Sequence, residues 1–120
     1  MDKDKVLDEI KIIEEAIDVS FPNKYKQFLS EEVKDTDAYE IRTSQDDTIY
    51  LYNYKDLVER NETYAIREAE PNYLLIGQDG NLGYFINIKN GSDQLYSLDL
   101  GALGGLSMDE EAMDVYKLKI

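Results

Sequence analysis

The part of the sequence that decides the fold is residues 73–99, YLLIGQDGNLGYFINIKNGSDQLYSLD. It contains three short runs of apolar, branched and aromatic residues, which are typical of β-strands. The runs cover residues 73–77, 82–89 and 94–99. Asp79-Gly80 and Asn90-Gly91 lie between them, and both dipeptides favour the positive φ of hairpin turns. The stretch therefore predicts three consecutive antiparallel strands.

Two further strands are predicted upstream, at residues 38–43 and 48–53. In the second, Ile49 and Leu51 alternate with tyrosines, which is the period-2 pattern of a strand. Tyr50, Tyr52 and Tyr54 are spaced by two, so they are expected on one sheet face, with the aliphatic residues on the other. The tyrosines then line an open face or its rim. They serve either as structural cover over a sheet edge or as an adhesive surface, because tyrosine is enriched at interfaces.

Three helices are expected. Apolar residues at helical spacing predict an amphipathic helix over residues 3–18. Pro22 suits the first turn of a second helix, which should fade in the acidic stretch 31–37. Asn53 resembles an N-cap, with Asp56 in the first turn of a third helix that ends before Pro71.

Residues 107–120 allow two structures. Ser107 and Glu110 have the spacing of a capping box, which favours a short helix. Tyr116, Leu118 and Ile120 alternate with lysines, as in an edge strand. A short helix followed by an extended end is therefore expected.

The order of these elements, α-α-β-β-α-β-β-β, predicts an α+β fold. We expect a single domain spanning residues 1–120, with a mostly antiparallel sheet of five to six strands and helices packed on one face.

The composition excludes several functions. The chain has 120 residues, 13 basic against 26 acidic, and a formal net charge of −13. It has no Cys and no His, which removes disulfides, thiolate and imidazole metal sites and the Ser-His-Asp triad. No basic patch is available to follow phosphates, so direct nucleic-acid binding is not expected.

Neither a signal peptide nor a membrane span is indicated. The first residues, MDKDK, are charged where a signal peptide requires an apolar segment. No apolar run approaches the roughly 20 residues of a membrane-spanning helix. A cytoplasmic protein without membrane association is expected.

Cofactor and catalytic sites are weakly supported. Gly77, Gly80 and Gly83 precede a strand rather than a helix, so turn chemistry explains them better than a phosphate-binding loop. The acidic pairs at 35–37 and 46–47 lack the pattern of a calcium loop, and no metal or other cofactor is expected. Asp79 and Asp99 lie near neighbouring strand ends, so a carboxylate-dependent enzyme is a minor alternative.

Three short motifs resemble the SUKH superfamily, which contains a fungal regulator of cell-wall synthesis and many bacterial toxin-immunity proteins. Residues 21–29 (FPNKYKQFL) resemble its proline–tyrosine signature, and residues 75–83 (LIGQDGNLG) its central hairpin. Residues 94–99 (QLYSLD) resemble the following strand. The chain departs from the family in having no glycine in 31–37 and no clear long final helix.

The resemblance implies a non-enzymatic binding module, a bacterial immunity protein that neutralises a cognate toxin. Such toxins are frequently nucleases with basic grooves, to which an acidic, tyrosine-rich surface would be steered. The alternative is a regulatory scaffold like the fungal member. By surface chemistry, the residues expected to contact the partner are Asp46, Asp47, Tyr50, Tyr52, Tyr54, Asp79 and Asp99.

Overall fold

Up to residue 99, helices and strands follow the predicted order, with the third helix split in two. The computed structural model describes residues 2–37, 39–43, 46–89, 91–105 and 107–118. The helices in these ranges are α1 (Lys3–Ile17), α2 (Asn23–Phe28), α3 (Tyr54–Thr63) and α4 (Ile66–Ala69). The strands are β1 (Tyr39–Arg42), β2 (Thr48–Leu51), β3 (Tyr73–Asp79), β4 (Leu82–Asn87), β5 (Leu95–Asp99) and β6 (Asp109–Ala112).

Specific residues mark the boundaries of the first two helices. Asp2 caps α1 by accepting a hydrogen bond from the Lys5 amide at 3.0 Å. Pro22 lies immediately before α2 rather than inside its first turn. After α2 the chain continues as a π-helical turn, Leu29–Val33, and stops at Lys34, whose φ is 53°. The predicted fading of this helix in the acidic stretch is confirmed.

The third helix starts where the capping pattern predicts. The Asn53 side chain accepts from the Asp56 amide at 2.8 Å, and its own amide group donates to the Thr36 carbonyl at 3.2 Å. Ala65 then takes a left-handed conformation, with φ 51°, and separates α3 from α4. Because the cap starts the helix at Tyr54, β2 ends at Leu51, two residues before its predicted end.

The sheet is a six-stranded antiparallel meander in which each strand pairs with the next along the chain. Gly80 has φ 58° in the turn between β3 and β4, as the turn prediction requires. Gly91 also has positive φ, whereas Asn90, the other half of that predicted turn, lies outside the described residues. The α+β class and the antiparallel sheet are confirmed.

The prediction for the C-terminal region is wrong in its order. Residues 109–112, where a helix was expected, form β6, because the free edge of β5 pairs with them. Tyr116, expected in a strand, lies in a short 3₁₀ helix, Val115–Lys117, while Ile120 lies outside the described residues. Asp114 turns the chain by accepting from the amides of Tyr116 and Lys117 at 2.9 and 3.1 Å. The pairing of β6 with β5 and the cap formed by Asp114 therefore determine this region, rather than the capping-box pattern of Ser107 and Glu110.

The two faces of the sheet are covered differently. Ile41 and Ile49 are cross-strand partners, and both belong to the same buried core as Val6 of α1 and Phe28 of α2. On the opposite face, Leu100 lies over Gly83, so that a Cβ on Gly83 would be 2.8 Å from its side chain. Residues 100–105 therefore close the central part of the face on which an open surface was expected.

One core side chain carries a polar group that lacks a partner. The Tyr25 hydroxyl is buried and makes no hydrogen bond to any described residue, and its ring lies 5.6 Å from that of Phe21. Burial also raises the pKa of this phenol far above its ordinary value. The buried hydroxyl therefore costs stability without a compensating bond.

We expect Tyr25→Phe to raise the free energy of unfolding by about 1 kcal/mol, because it removes an unsatisfied buried group and leaves the ring in place. Tyr52→Phe is the matched control, since the Tyr52 hydroxyl donates to Gln78, and stability should fall. Urea denaturation of both variants measures the difference. A loss of stability in Tyr25→Phe would contradict the expectation.

Candidate functional site

The tyrosine row expected on an exposed face does not form. Tyr50 is 42% exposed, but Tyr52 and Tyr54 are buried, at 9% and 8%. The reason is the Asn53 cap, which ends the strand pattern and starts a helix at Tyr54. The prediction of three tyrosines on one face is therefore wrong, although Ile49 and Leu51 are buried on the aliphatic side as expected.

Tyr50 and Tyr52 line a shallow groove beside α3. The Tyr52 hydroxyl donates to Gln78, and the Arg60 guanidinium lies 5.9 Å from the centroid of the Tyr52 ring. Burial is the main cause of the raised pKa of Tyr52, which Tyr64 raises further and Arg60 opposes. The groove is thus built around a fixed neutral phenol rather than an adhesive row of free tyrosines.

Two of the acidic residues predicted for partner binding, Asp79 and Asp99, lie on the face of the sheet opposite Tyr50. Asp79 of β3 and Asp99 of β5 both pair with Leu82 of β4. The two carboxylates therefore project from the same face, on the two strands that flank β4. Tyr84 follows two positions after Leu82 and shares this face. The register therefore brings the two predicted carboxylates to one corner of the sheet.

At this corner the sheet curls into a concave site of about 120 Å³, which we call the acidic recess. It is lined by Thr43, Asp47, Tyr84, Glu111, Ala112, Lys117 and Leu118. Thr43 follows β1 and Glu111 belongs to β6, the two outermost strands. Residues from opposite edges of the sheet can meet in one recess only because the sheet is strongly curved.

Tyr84 forms the base of the acidic recess and is 4% exposed. Burial is the main cause of its high pKa of about 12, and the nearby carboxylates of Glu111, Asp79 and Asp47 raise the pKa further. The phenol therefore stays neutral at ordinary pH and is surrounded by three negative charges. Lys117 is the basic side chain among the lining residues.

The walls of the acidic recess are positioned by local hydrogen bonds. Glu111 accepts from the hydroxyl of Ser97, a buried residue directly opposite Tyr84, at 2.5 Å. The Asp47 amide donates to the Thr43 hydroxyl at 3.2 Å, and the Thr43 amide donates to the Asp47 carbonyl at 2.9 Å. The Glu111 carboxylate is thus held by the Ser97 hydroxyl, and the two backbone bonds fix the turn that carries Asp47.

Two other predicted acids have local roles. Asp46 lies in the turn after β1 and forms an ion pair with Arg42 at 2.5 Å, so much of its charge is compensated. Asp99 accepts from the Gly101 amide at 2.7 Å and caps the 3₁₀ helix that follows β5. Both are exposed, at the margin of the corner rather than inside the recess.

The described ranges contain neither a carboxylate cluster suited to a metal ion nor a helix suited to span a membrane. Among these residues, no group of three or more carboxylates converges closely enough to hold a metal ion. None of the described helices has the length and apolar character that a transmembrane helix requires. The carboxylates of the acidic recess are therefore spread around Tyr84 rather than focused on one point.

Sequence reasoning missed Tyr84, Ser97, Glu111 and Lys117. The signal for Tyr84 was available, because it lies two residues after Leu82 and therefore on the sheet face that carries Asp79 and Asp99. Glu111 and Lys117 carried no such signal. The segment of Glu111 was expected to be a helix and forms a strand, and the segment of Lys117 was expected to be extended and forms a 3₁₀ helix. Their place in the site depends on the pairing of β6 with β5.

The chain matches the profile of a known protein family. A search of the curated proteins finds no similar sequence. The profile of the SMI1 / KNR4 family (SUKH-1) matches residues 7–115, which include most of α1, all of α2, the central hairpin and the lining of the acidic recess as far as Ala112. The resemblance carried by the three short motifs is therefore confirmed over most of the chain, and the protein belongs to the SMI1 / KNR4 family (SUKH-1).

Proposed function

We propose that this protein is a non-catalytic binding module, a bacterial cytoplasmic immunity protein that neutralises a cognate toxin by binding its basic surface. The observation that carries the proposal is the acidic recess, which Asp47 and Glu111 line and Asp79 adjoins, with the buried phenol of Tyr84 at its base. Family membership supports a role in binding or regulation. The toxin and its activity are part of the proposal.

The electrostatics favour a basic partner over any other. A net charge of −13 attracts a cationic protein over a range set by the Debye length, about 8 Å at physiological ionic strength, and speeds the encounter. At contact, a Lys or Arg side chain entering the acidic recess meets the Glu111 carboxylate, which Ser97 already orients, and Asp47 on the ordered Thr43 turn. The Glu111 side chain therefore loses little conformational entropy when the partner binds.

The neutral phenol of Tyr84 complements these charges. Since the pKa of Tyr84 is about 12, its hydroxyl keeps its proton and adds no fourth charge to the recess. Asp79 and Asp99 extend the negative surface along the sheet corner. Tyr50, on the opposite face, would contact only a partner that wraps around the edge of the sheet.

The test is co-expression with the toxin encoded beside this gene, followed by measurement of the affinity of the purified pair. Asp47→Asn combined with Asp79→Asn should weaken binding about tenfold, because two charges facing the partner are removed. The wild-type complex should also weaken as salt concentration rises. Growth of the co-expressing cells reports neutralisation independently.

The matched control is Asp8→Asn combined with Glu15→Gln, two exposed acids of α1 whose loss gives the same net charge. This pair should leave the affinity nearly unchanged. Equal weakening by both double variants would mean that net charge alone is responsible, and the recess would lose its role. Absence of a complex, with toxicity persisting, would favour the regulatory scaffold instead.

A further inference from the structure

A second concave site lies at the other end of β3, where α3 and α4 meet the sheet. Its volume is about 240 Å³. Its walls are mainly apolar and include Ile17, Leu57, Val58, Tyr73, Leu74 and Ile88. Leu57 and Leu74 are buried, so the floor of this apolar cleft is the hydrophobic core itself.

The walls of the apolar cleft are fixed from three directions. Asn61 of α3 exchanges two hydrogen bonds of 2.8 Å with the backbone of Leu75, so its amide group takes the place of a neighbouring strand beside β3. Arg67 of α4 donates to the Ile17 carbonyl at 2.5 Å, which ties α4 to the end of α1. The left-handed Ala65 sets the angle between α3 and α4. The cleft is therefore preformed.

Negative charge lies at the margin of the cleft. Glu62 and Glu68 are exposed lining residues, and within the described part of the chain neither has a basic side chain at ion-pair distance. Arg67, the cation of the lining, is already bonded to the Ile17 carbonyl. The rim therefore favours a ligand that places positive charges beside an apolar group.

The volume of the cleft limits the kind of ligand it can bind. Pockets for drug-sized molecules are usually about 300–1,000 Å³, so this cleft suits one large side chain better than a small-molecule ligand. The acidic rim repels fatty acids, and the net charge of −13 opposes docking of a second copy. We propose that the apolar cleft binds one large apolar side chain of a partner protein, within a segment that carries Lys or Arg on both sides.

This site is separate from the acidic recess. Leu74 lines the cleft and Asp79 lies beside the recess, and the five residue steps between them along β3 span about 17 Å. The proposal therefore does not depend on the proposed function, and each can fail without the other.

The test uses NMR titration of the full chain with three synthetic pentapeptides. One has a central Phe flanked by lysines, one replaces the Phe with Ser, and one replaces the lysines with glutamates. Only the first should shift the amide signals of Ile17, Ala65 and Ile88. Equal shifts with the Ser peptide, or shifts confined to Thr43, Asp47 and Glu111, would overturn the proposal.

Two variants test the rim. Glu62→Lys combined with Glu68→Lys should weaken binding of the Phe peptide at least tenfold, whereas Glu59→Lys combined with Asp8→Lys should cause a much smaller change. Glu59 is on the same helix as Glu62 and both control residues are exposed, but neither lines the cleft. Equal weakening by the two pairs would contradict a specific rim. Dodecanoate is titrated in parallel, and binding of dodecanoate without the Phe peptide would overturn the proposal.

Discussion

Gly77→Ala is expected to destabilise the protein by about 3 kcal/mol or more, enough to leave a marginal domain partly unfolded. A Cβ at this position would lie 2.5 Å from the Tyr50 carbonyl oxygen and 2.7 Å from the Leu51 side chain. The carbonyl belongs to the backbone of the paired strand β2 and cannot move aside without opening the β2–β3 ladder. Gly77 also follows the bulge in β3 after Leu75, where the sheet bends.

Urea denaturation with circular dichroism measures this change, and Gly80→Ala is the matched control. Gly80 has open space around its Cβ position, so the substitution costs only the strain of a left-handed alanine, roughly 1 kcal/mol. The requirement at Gly77 is therefore close approach of backbone, and the requirement at Gly80 is positive φ. Similar losses in the two variants would refute this distinction.

Asp114→Ala is expected to lower the free energy of unfolding by about 3 kcal/mol, because it removes a buried carboxylate that has three partners. The carboxylate accepts from the amides of Tyr116 and Lys117 and lies 3.2 Å from the Lys24 ammonium on α2. Lys24 is about half exposed, so most of the loss comes from the two amides left without an acceptor.

Asp99→Ala separates this effect from ordinary capping. Asp99 also caps a short 3₁₀ helix, but it is exposed and has no described basic partner, so its loss should cost about 1 kcal/mol. Thermal unfolding of both variants checks the difference. If Asp114→Ala were no more damaging than Asp99→Ala, the contact with α2 and the burial of the carboxylate would contribute nothing.

Local chemistry in the sequence was sufficient to predict the frame of the fold. The Asn53 cap, the Gly80 turn and the helical spacing in α1 each act over a few residues, and all three are found in the structure. The C-terminal region could not be predicted in this way. Residues 109–112 are extended because β5 offers them hydrogen bonds, and the capping-box pattern nearby contains no information about that edge.

The candidate site was only half predictable for the same reason. Asp79 and Asp99 could be placed together from the predicted hairpins, since adjacent antiparallel strands fix their register. The meeting of Thr43 with Glu111 depends on the curvature of the whole sheet, which brings its two outermost strands together. Long-range geometry of this kind is not encoded in any short pattern.

The curved sheet also determines when, during translation, the acidic recess can form. The acidic recess takes Thr43 and Asp47 from early in translation, but Glu111 and Lys117 from much later. A ribosome adds about 5–20 residues per second. Glu111 and Lys117 are therefore synthesised several seconds after the helices and first strands. A chain still attached to the ribosome before residue 118 has emerged therefore lacks part of the recess. Under the proposed function, protection from a toxin then comes from molecules finished earlier.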